Sequence, residues 1–368
     1  MQKIKWGIIG PGSIANAFAH SIKHSQNSEL TGVFGRTKAK TNNFAQLFNI
    51  QSFGSLQDFL SSKDIDAVYV ATPHSDHFFY SLEAIKHHKH VLCEKPLTMN
   101  AHESMILLDL AHSLKVFLME AYMYRVHPQT LNILNHLSLF DESNEKILIE
   151  GSFGFKAEVS SDHRLRDPLL GGGAILDVGC YPLSMCKLIA GHLQDLPFAE
   201  PKSISAAGRL DKTGVDLQSD AHLIFSDQIE AKISCAIDEQ LPNKLVISNS
   251  DITIAVSDPW HCGQFHEGKS SIFVNHVSGS IEEISFDDEV GLFTREIEHA
   301  SSCILNHKIE SDFISHGDTQ SNMFWLDQWR QQMQIVCPKD LIKNSPILES
   351  KAFLNQTSEL ENIAIPGL

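Results

Sequence analysis

The sequence is poor in basic residues, in cysteine and in long apolar runs, and each shortage argues against a class of protein. Lysine and arginine number 29 against 45 aspartates and glutamates, a net charge of −16, which disfavours a nucleic-acid partner because phosphate binding needs a basic face. The seven cysteines are odd in number and form no Cys-x-x-Cys pair, so we expect free thiols in a reducing cytoplasm. No uninterrupted apolar run approaches the roughly 18 residues of a membrane span, so we expect no membrane partner.

Targeting and metal-binding signals are also scarce. Residues 1–6 lack the apolar stretch of a signal peptide, which agrees with a cytoplasmic protein. The histidines at positions 20, 24, 87, 88 and 90 lack the spacing of metal ligands, so we predict no metal site.

Two different patterns of secondary structure divide the chain, whose 368 residues exceed one compact core. Up to residue 121, short apolar runs alternate with helical patterns, which indicates an α/β domain with a doubly wound parallel sheet. Short strand patterns then predict a second, α+β domain over residues 122–338, with an open, mostly antiparallel sheet and one strong helix at Ile175–Ala190. Residues 339–368 form an extension to which no role is assigned. Because no Gly/Ser linker separates the two domains, we expect them to abut and share a cleft.

A glycine pattern follows the first predicted strand. Gly10, Gly12 and Ala15 form Gly-x-Gly-x-x-Ala, in which the first glycine permits a tight turn and the second lets a pyrophosphate approach the backbone. Ser13 and Ile14 then begin a helix, whose N-terminal N–H groups attract phosphate. We predict that Gly10, Gly12, Ser13 and Ile14 bind a dinucleotide. The alternative is a glycine turn without a ligand.

The end of the second predicted strand indicates which dinucleotide binds. An NAD-selecting domain usually has an acid there to accept the ribose 2′-hydroxyl, but this chain has Gly35 followed by Arg36 and Thr37. Lys38 and Lys40 add further positive charge. Because arginine grips a phosphate with two bonds, we predict NADP in preference to NAD, with Arg36 and Thr37 at its 2′-phosphate. The alternative is that these cations are only solvated surface charges.

Two further predicted strands end in polar residues, at the sheet edge where α/β proteins bind ligands. A lysine at this edge, followed by a proline, can reach a nicotinamide or a substrate oxygen, although Glu-Lys-Pro alone is a common tripeptide. The residues that we expect at the cofactor from these two segments are Thr72, Pro73, His74, His77, Glu94 and Lys95.

A glycine-rich segment, residues 171–173, precedes the strong helix of the second half. Asp177 and Tyr181 lie four residues apart on that helix and therefore share one face. With Lys95 opposite, they make a proton-transfer group in which the lysine lowers the phenol pKa and the carboxylate fixes the lysine. The alternative is an aspartate that stabilises the helix dipole beside a packed tyrosine.

Together these motifs resemble the Gfo/Idh/MocA oxidoreductase family over about residues 4–338. Within that family, residues 119–125 (MEAYMYR) and the Gly-Gly-Gly…Asp…Tyr segment are most similar to the dihydrodiol dehydrogenase and NADP-dependent D-xylose dehydrogenase branch. The branch commonly has tryptophan where this chain has Tyr124 or a neighbour, which leaves the substrate open. The resemblance implies a Rossmann domain, and a C-terminal sheet that is often buried in a homodimer or homotetramer.

The resemblance also implies a reaction: hydride transfer between NAD(P) and a sugar, polyol or trans-dihydrodiol. In this reading Tyr181 moves the hydroxyl proton, Lys95 polarises the oxygen, and Asp177 orients Lys95 or the substrate. Candidate substrate contacts are Tyr124, Arg125, His163 and Arg164, the last two with loop charge as the alternative.

Two other functions use the same scaffold. A non-catalytic NADP-binding sensor would need the cofactor cavity but not Lys95, Asp177 and Tyr181. An NAD-dependent glycoside hydrolase would hold NAD tightly without net turnover, whereas Arg36 favours an exchangeable NADP.

Overall fold

The computed structural model describes residues 2–140 and 145–336, so the extension predicted over residues 339–368 lies outside the described residues. The first sheet consists of β1 (Ile4–Ile9), β2 (Ser28–Phe34), β3 (Gln51–Ser52), β4 (Ala67–Val70), β5 (His90–Glu94) and β6 (Leu118–Ala121). All its strands are parallel, in the order β3-β2-β1-β4-β5-β6, which confirms the doubly wound sheet. The order reverses between β1 and β4, which leaves a crevice at their carboxyl ends.

Helices cover both faces of this sheet, and the side chains of its strands alternate between two hydrophobic clusters. Ile8 and Tyr69 enter one cluster, whereas Ile9, Val68 and Val70 enter the other. This coverage explains why β4 is buried along its whole length. The helices of this half are α1 (Ser13–Ser21), α2 (Lys38–Phe48), α3 (Leu56–Ser61), α4 (His74–Lys86) and α5 (Ala101–Leu114).

The second half contains an open sheet with one buried and one more exposed face. After α6 (Pro128–His136), its elements are β7 (Ile147–Gly154), α7 (Cys180–His192), β8 (Ser203–Leu210), β9 (Asp216–Ile224), β10 (Ile229–Ala236), β11 (Lys244–Ser248), β12 (Ile252–Val256), β13 (Lys269–His276) and β14 (Ile281–Asp287). The strand order is β14-β13-β12-β11-β7-β10-β9-β8. Neighbours are antiparallel except β7 and β10, which agrees with the predicted mostly antiparallel sheet.

The predicted helix at Ile175–Ala190 begins differently from the expectation. Its first turn, Ile175–Gly179, is π-helical, and α7 follows at Cys180. The larger segment Pro168–His192 corrects the expectation about membrane spans, because its 25 residues are long and apolar enough to cross a membrane. However, 83% of its most apolar window is buried inside the fold, which is how a core helix behaves.

Two C-terminal helices, α8 (Leu292–Leu305) and α9 (His316–Gln332), pack back onto the first half. Trp6 Nε1 donates to Ser301 Oγ at 2.9 Å, which anchors α8 against β1. The backbone N–H of Ala101 donates to Asp327 Oδ2 at 2.9 Å, which joins α5 to α9. The order of elements along the chain therefore differs from their grouping in space, since α8 covers a face of the first sheet.

Candidate functional site

The turn between β1 and α1 adopts the conformation that its glycines predict. Gly10 has a φ of +94°, and a Cβ there would lie 2.9 Å from the carbonyl oxygen of Ala71. A Cβ on Gly12 would meet no described atom within 4 Å, so the backbone at the start of α1 is open. Ser13 and Ile14 follow and line the cleft, where N–H groups of a first helical turn have no partner within their helix.

The end of β2 has no room for a side chain at Gly35. A Cβ there would lie 2.5 Å from Pro11 Cδ and 2.9 Å from Thr41 Oγ1. A carboxylate at this position would therefore require Pro11 to move. The missing acid has a packing reason in this fold.

Two cations line a cavity of about 220 Å³ beside this turn, together with Gly10, Gly12 and Thr37. They are Arg36, whose side chain is 68% exposed, and Lys40. Arg36 Nη2 lies 3.2 Å from Asp76 Oδ2, the nearest counter-charge. The structure thus brings the predicted phosphate residues together, and it adds Asp76 as a competitor for Arg36.

The turn after β4 joins this cavity to a deeper cleft. Thr72 and Pro73 line both. Thr72 Oγ1 is buried and has no hydrogen-bond partner among the described residues, so it is available to a ligand. The open backbone at Gly12, this hydroxyl and the nearby cations fit a bound dinucleotide.

The deeper cleft has a volume of about 490 Å³ and lies between the two halves. It is lined by residues from both, so the expectation of a shared cleft agrees with the structure. The predicted residues that line it are Gly12, Ser13, Ile14, Thr72, Pro73, His74, His77, Glu94, Lys95, Arg164, Asp177 and Tyr181.

Lys95 and Asp177 meet in this cleft, but through a different atom from the predicted one. Lys95 Nζ donates to the backbone carbonyl of Asp177 at 2.6 Å, rather than to its carboxylate. The carboxylate instead accepts from Arg164 Nη1 at 3.1 Å. Burial disfavours the charged carboxylate, but the charges of Lys95 and Arg164 outweigh it and lower the pKa of Asp177. Asp177 is therefore an ionised acid fixed by arginine.

His74 and His77 are buried and neutral. Burial and the charge of Lys95 lower the pKa of His74 to about 3, and its Nδ1 donates to the carbonyl oxygen of Gly171 at 2.9 Å. Burial lowers the pKa of His77 to about 4. Its two ring nitrogens each lie 2.9 Å from a carbonyl oxygen, of Pro96 and of Thr72. A neutral imidazole has one N–H, so only one of these contacts is a hydrogen bond at a time.

Tyr181 is buried and lines the cleft. The hydroxyl is 3.8 Å from Met123 Sδ, and Lys95 Nζ lies 5.1 Å from the ring centroid. Burial, followed by the charge of Glu94, raises the pKa of Tyr181 well above its usual range. This corrects the expectation that Lys95 lowers that pKa. The phenol is protonated and can act as a proton donor.

Glu94 closes the cleft on the side of the first sheet. It is buried and accepts a hydrogen bond from the hydroxyl of Tyr69. Burial raises the pKa of Glu94, while the charge of neighbouring Lys95 opposes this change. Glu94 therefore lines the cleft as predicted, with a structural partner that the motif did not indicate.

The glycines before α7 are needed because other parts of the protein pack closely against them, and not only because a ligand could approach them. A Cβ on Gly171 would lie 2.5 Å from Met99 Sδ, and one on Gly173 would lie 2.2 Å from Asp216 Oδ1. Asp216 Oδ2 accepts the N–H of Ile175 at 2.6 Å, and burial raises the pKa of Asp216 to about 6. Asp216 thus stabilises the start of this helical segment, a role that no sequence pattern indicated.

Tyr124 and Arg125 are not substrate contacts in this fold, which corrects the prediction. Both are buried and neither lines the cleft. Arg125 donates to Asp318 Oδ2 at 2.7 Å and to Ser184 Oγ at 2.8 Å. The hydroxyl of Tyr124 donates to the carbonyl oxygen of Tyr181 at 3.2 Å. A buried charge needs a partner, and both side chains are committed to the interior.

Of the two predicted loop residues, Arg164 lines the cleft and His163 does not. His163 is exposed, and its Nδ1 accepts the N–H of Leu165 at 3.3 Å. His163 thus caps the short helical turn that carries Arg164, which corrects its assignment as a substrate contact.

The sequence motifs missed an apolar wall of the cleft. It is formed by Met123, Phe153, Phe155 and Val178, which line the cleft together with the polar groups. Phe153 lies at the end of β7 and Phe155 just beyond it. The one sequence pattern that could have indicated them is the alternation of apolar and polar residues along a strand. Alternation alone does not separate a cleft wall from a core face.

No group of three or more histidine, cysteine, aspartate or glutamate side chains that could hold a metal occurs within residues 2–140 and 145–336.

The profile of the oxidoreductase family with an NAD-binding Rossmann fold, GFO_IDH_MocA, matches residues 4–122, and the GFO/IDH/MocA C-terminal domain matches residues 145–255. The chain belongs to the Gfo/Idh/MocA family. This confirms the resemblance, and the chain is an NAD(P)-dependent oxidoreductase.

Curated relatives support the branch that the motifs indicated. The chain is 31% identical to trans-1,2-dihydrobenzene-1,2-diol dehydrogenase of Xenopus tropicalis over 344 residues, which cover 91% of this chain and 99% of the relative. Its human counterpart is 25% identical over 348 residues, with coverage of 92% and 99%.

Solved structures share the fold. KijD10, a 3-ketoreductase from Actinomadura kijaniata in complex with NADP and TDP-benzene, superposes with a TM-score of 0.77 at 21% identity. Aldose-aldose oxidoreductase from Caulobacter crescentus superposes with a TM-score of 0.78 at 20% identity. Each match covers 90% of this chain and 98% of the other.

Proposed function

We propose that this Gfo/Idh/MocA protein uses NADP to transfer a hydride to or from the hydroxyl-bearing carbon of a sugar, polyol or trans-dihydrodiol. The observation that carries the proposal is the meeting of Lys95, Asp177 and Tyr181 in one cleft, which opens at its other end onto Arg36. The dihydrodiol dehydrogenases among the relatives support the substrate class.

NADP would be held by the glycine turn and by the cations beside it. The backbone at Gly12 would receive the pyrophosphate, and Arg36, Thr37 and Lys40 would hold the 2′-phosphate. Crowding at Gly35 supports NADP over NAD, because the acid that would receive a 2′-hydroxyl has no space. Bound NADP supplies or accepts the hydride.

Tyr181 handles the proton in this proposal. Its protonated phenol lies in the cleft and donates to the substrate oxygen during carbonyl reduction; the reverse reaction returns the proton. Lys95 holds positive charge beside it and stabilises negative charge that develops on that oxygen. Asp177 fixes Lys95 through its backbone carbonyl and holds Arg164 through its carboxylate.

The apolar wall supports a substrate with one hydrophobic face. Phe153, Phe155 and Met123 line the same cleft as Asp177 and Arg164, so a ring can place carbon against the apolar side chains and hydroxyls against the charged ones. Both a dihydrobenzene diol and the C–H face of a sugar have this character.

The cysteines and the second sheet support a location and an assembly. The six cysteines of the described residues are buried and unpaired, which supports a cytoplasmic location. The less buried face of the second sheet, which carries the half-buried Val246 and Phe273 among polar side chains, supports a homodimer or homotetramer. Light scattering that gives a strictly monomeric mass would contradict the latter.

An absorbance screen tests the proposed function. The purified protein is incubated with NADP or NAD and with aldoses, inositols or trans-dihydrodiols, and reduced nicotinamide is measured. We expect turnover with at least one class, and faster turnover with NADP. Retained NADP binding without turnover on any class would favour the sensor, and glycoside cleavage without net cofactor turnover would favour the hydrolase.

A further inference from the structure

A buried glutamate contacts the chain just after the catalytic lysine. Glu120 lies in β6 and is 1% exposed. Its Oε1 accepts the backbone N–H of Leu97 at 2.9 Å, and Leu97 is two residues beyond Lys95. Leu97 is itself fully buried, so no solvent molecule at the surface can replace this bond. Without Glu120 this N–H would be an unsatisfied donor in the interior.

The segment from Lys95 to Leu97 is held at several points. His77 Nδ1 lies 2.9 Å from the carbonyl oxygen of Pro96, and Lys95 Nζ donates to the carbonyl of Asp177 at 2.6 Å. Glu120 in β6 adds the third contact, the hydrogen bond from the Leu97 N–H. The position of the ammonium in the cleft therefore depends on a bond outside the cleft.

The surroundings of Glu120 connect this segment to the second half of the molecule. The titratable and polar groups around Glu120 come from four segments: Tyr122 just after β6, Cys93 from β5, Cys180 and Lys187 from α7, and Asp318 and Thr319 from α9. Thr319 lies close enough to lower the pKa of the carboxylate. Oε2 has no hydrogen-bond partner among the residues that the structure describes.

Ionisation of Glu120 at this buried position lowers the stability of the fold. Burial raises the pKa of Glu120 to about 7, against the Leu97 N–H and Thr319, which lower it. A neutral glutamine could accept the same N–H without that penalty. A charged acceptor, however, makes a stronger hydrogen bond than a neutral one. The ionised carboxylate therefore holds the Leu97 N–H more tightly, although its burial lowers the stability of the fold.

We propose that Glu120 is a positioning residue that fixes Lys95 in the cleft through the Leu97 N–H. The proposal rests on the proposed role of Lys95 in proton transfer. Because the carboxylate grips the N–H more strongly than the neutral acid does, turnover should fall as the pH drops through about 7.

Three variants test this role, with two readouts. Glu120→Ala removes the acceptor, Glu120→Gln keeps an acceptor without charge, and Glu103→Gln is the matched control. Glu103 Oε2 accepts the N–H of Met99 at 3.1 Å, so it makes the same kind of bond two residues farther along. The readouts are amide hydrogen exchange of the peptide spanning residues 95–100 and the pH profile of turnover.

We expect the Leu97 amide of Glu120→Ala to exchange about 10- to 100-fold faster, since a buried bond to a charged group is lost. Glu120→Gln keeps only a neutral acceptor, so its Leu97 amide should exchange at a rate between those of Glu120→Ala and the wild type, and the pH dependence near 7 should be lost. Glu103→Gln should keep that dependence. Unchanged exchange in Glu120→Ala, or a dependence that persists in Glu120→Gln, would overturn the proposal. In the latter case another group titrates, such as Asp216 with its pKa of about 6.

A stability measurement keeps the test independent of activity. The pKa of Glu120 is raised from 4.5 to about 7 in the fold, so the stability that the neutral acid provides is lost as the pH rises through this range. Glu120→Gln should therefore melt higher than the wild type at about pH 8 and not at about pH 4. Equal differences at both pH values would contradict the buried charge. Full turnover of Lys95→Met would instead defeat the proposed function, while the exchange result would stand.

Discussion

The two ends of the cleft are built on different principles. The cofactor end, defined here as Gly10, Gly12, Arg36, Thr37 and Lys40, offers backbone and exposed cations, and the Arg36 side chain is 68% exposed. The catalytic end, defined as Lys95, Arg164, Asp177 and Tyr181, contains side chains that already contact one another: Asp177 and Tyr181 are buried, Lys95 is half-buried, and the Arg164 side chain is 47% exposed.

This difference predicts how each end responds to change. Exposed cations gain most of their interaction energy from the ligand, so their removal should alter affinity and cofactor choice. Groups that already contact one another are oriented before any ligand arrives, so their removal should alter turnover. The following substitutions test whether the two ends separate in this way.

Tyr181→Phe should have the largest effect. Loss of the hydroxyl removes the proton donor, so we expect turnover to fall by about 100- to 10,000-fold while NADP affinity changes little. Steady-state kinetics and fluorescence titration with NADPH measure the two quantities. Tyr122→Phe is the matched control, because Tyr122 packs edge-on against Tyr181 at 5.8 Å but does not line the cleft. Normal turnover in Tyr181→Phe would remove the proton-transfer role.

Arg36→Ala should mainly alter cofactor choice. Loss of the guanidinium should weaken NADP binding by about 10- to 100-fold and leave NAD binding nearly unchanged. Calorimetric titration with each cofactor gives the ratio. Lys38→Ala is the control, since Lys38 is exposed nearby but does not line the cavity. An unchanged NADP-to-NAD ratio in Arg36→Ala would contradict the 2′-phosphate assignment.

Asp76→Ala should have the smallest effect, in the opposite direction. Its carboxylate pairs with Arg36 at 3.2 Å, so its removal should free the guanidinium and tighten NADP binding by about two- to fivefold. The same titration measures this change at low ionic strength. In the Arg36→Ala background, Asp76→Ala should do nothing, and an equal gain there would show that Asp76 acts by another route.

The cofactor end was the more predictable part because its chemistry follows from consecutive residues. The glycine turn needs only Gly10 and Gly12 between a strand and a helix, and both occupy the expected places. The parallel sheet was equally readable, since strands covered on both faces are continuous apolar runs. The short strand Gln51–Ser52 was missed because two exposed residues carry no pattern.

The catalytic end was less predictable because its contacts join distant segments. Asp177 and Lys95 were paired correctly, but a residue type does not reveal whether a carboxylate or a backbone carbonyl receives the lysine. Arg125 was assigned to substrate because its buried partner Asp318 lies 193 residues away. The π-helical turn at Ile175–Gly179 also alters the spacing on which the shared helix face was argued.

The most direct test of the central claim follows the hydride itself. NADPH carrying deuterium at the transferred position of C4 is given to the wild-type protein with the carbonyl compound whose alcohol is active in the absorbance screen. The account predicts one deuterium in the product, on the carbon that bears the new hydroxyl, with one labelled cofactor consumed for each product formed. Product without deuterium, or product formed while the cofactor stays reduced and bound, would contradict it.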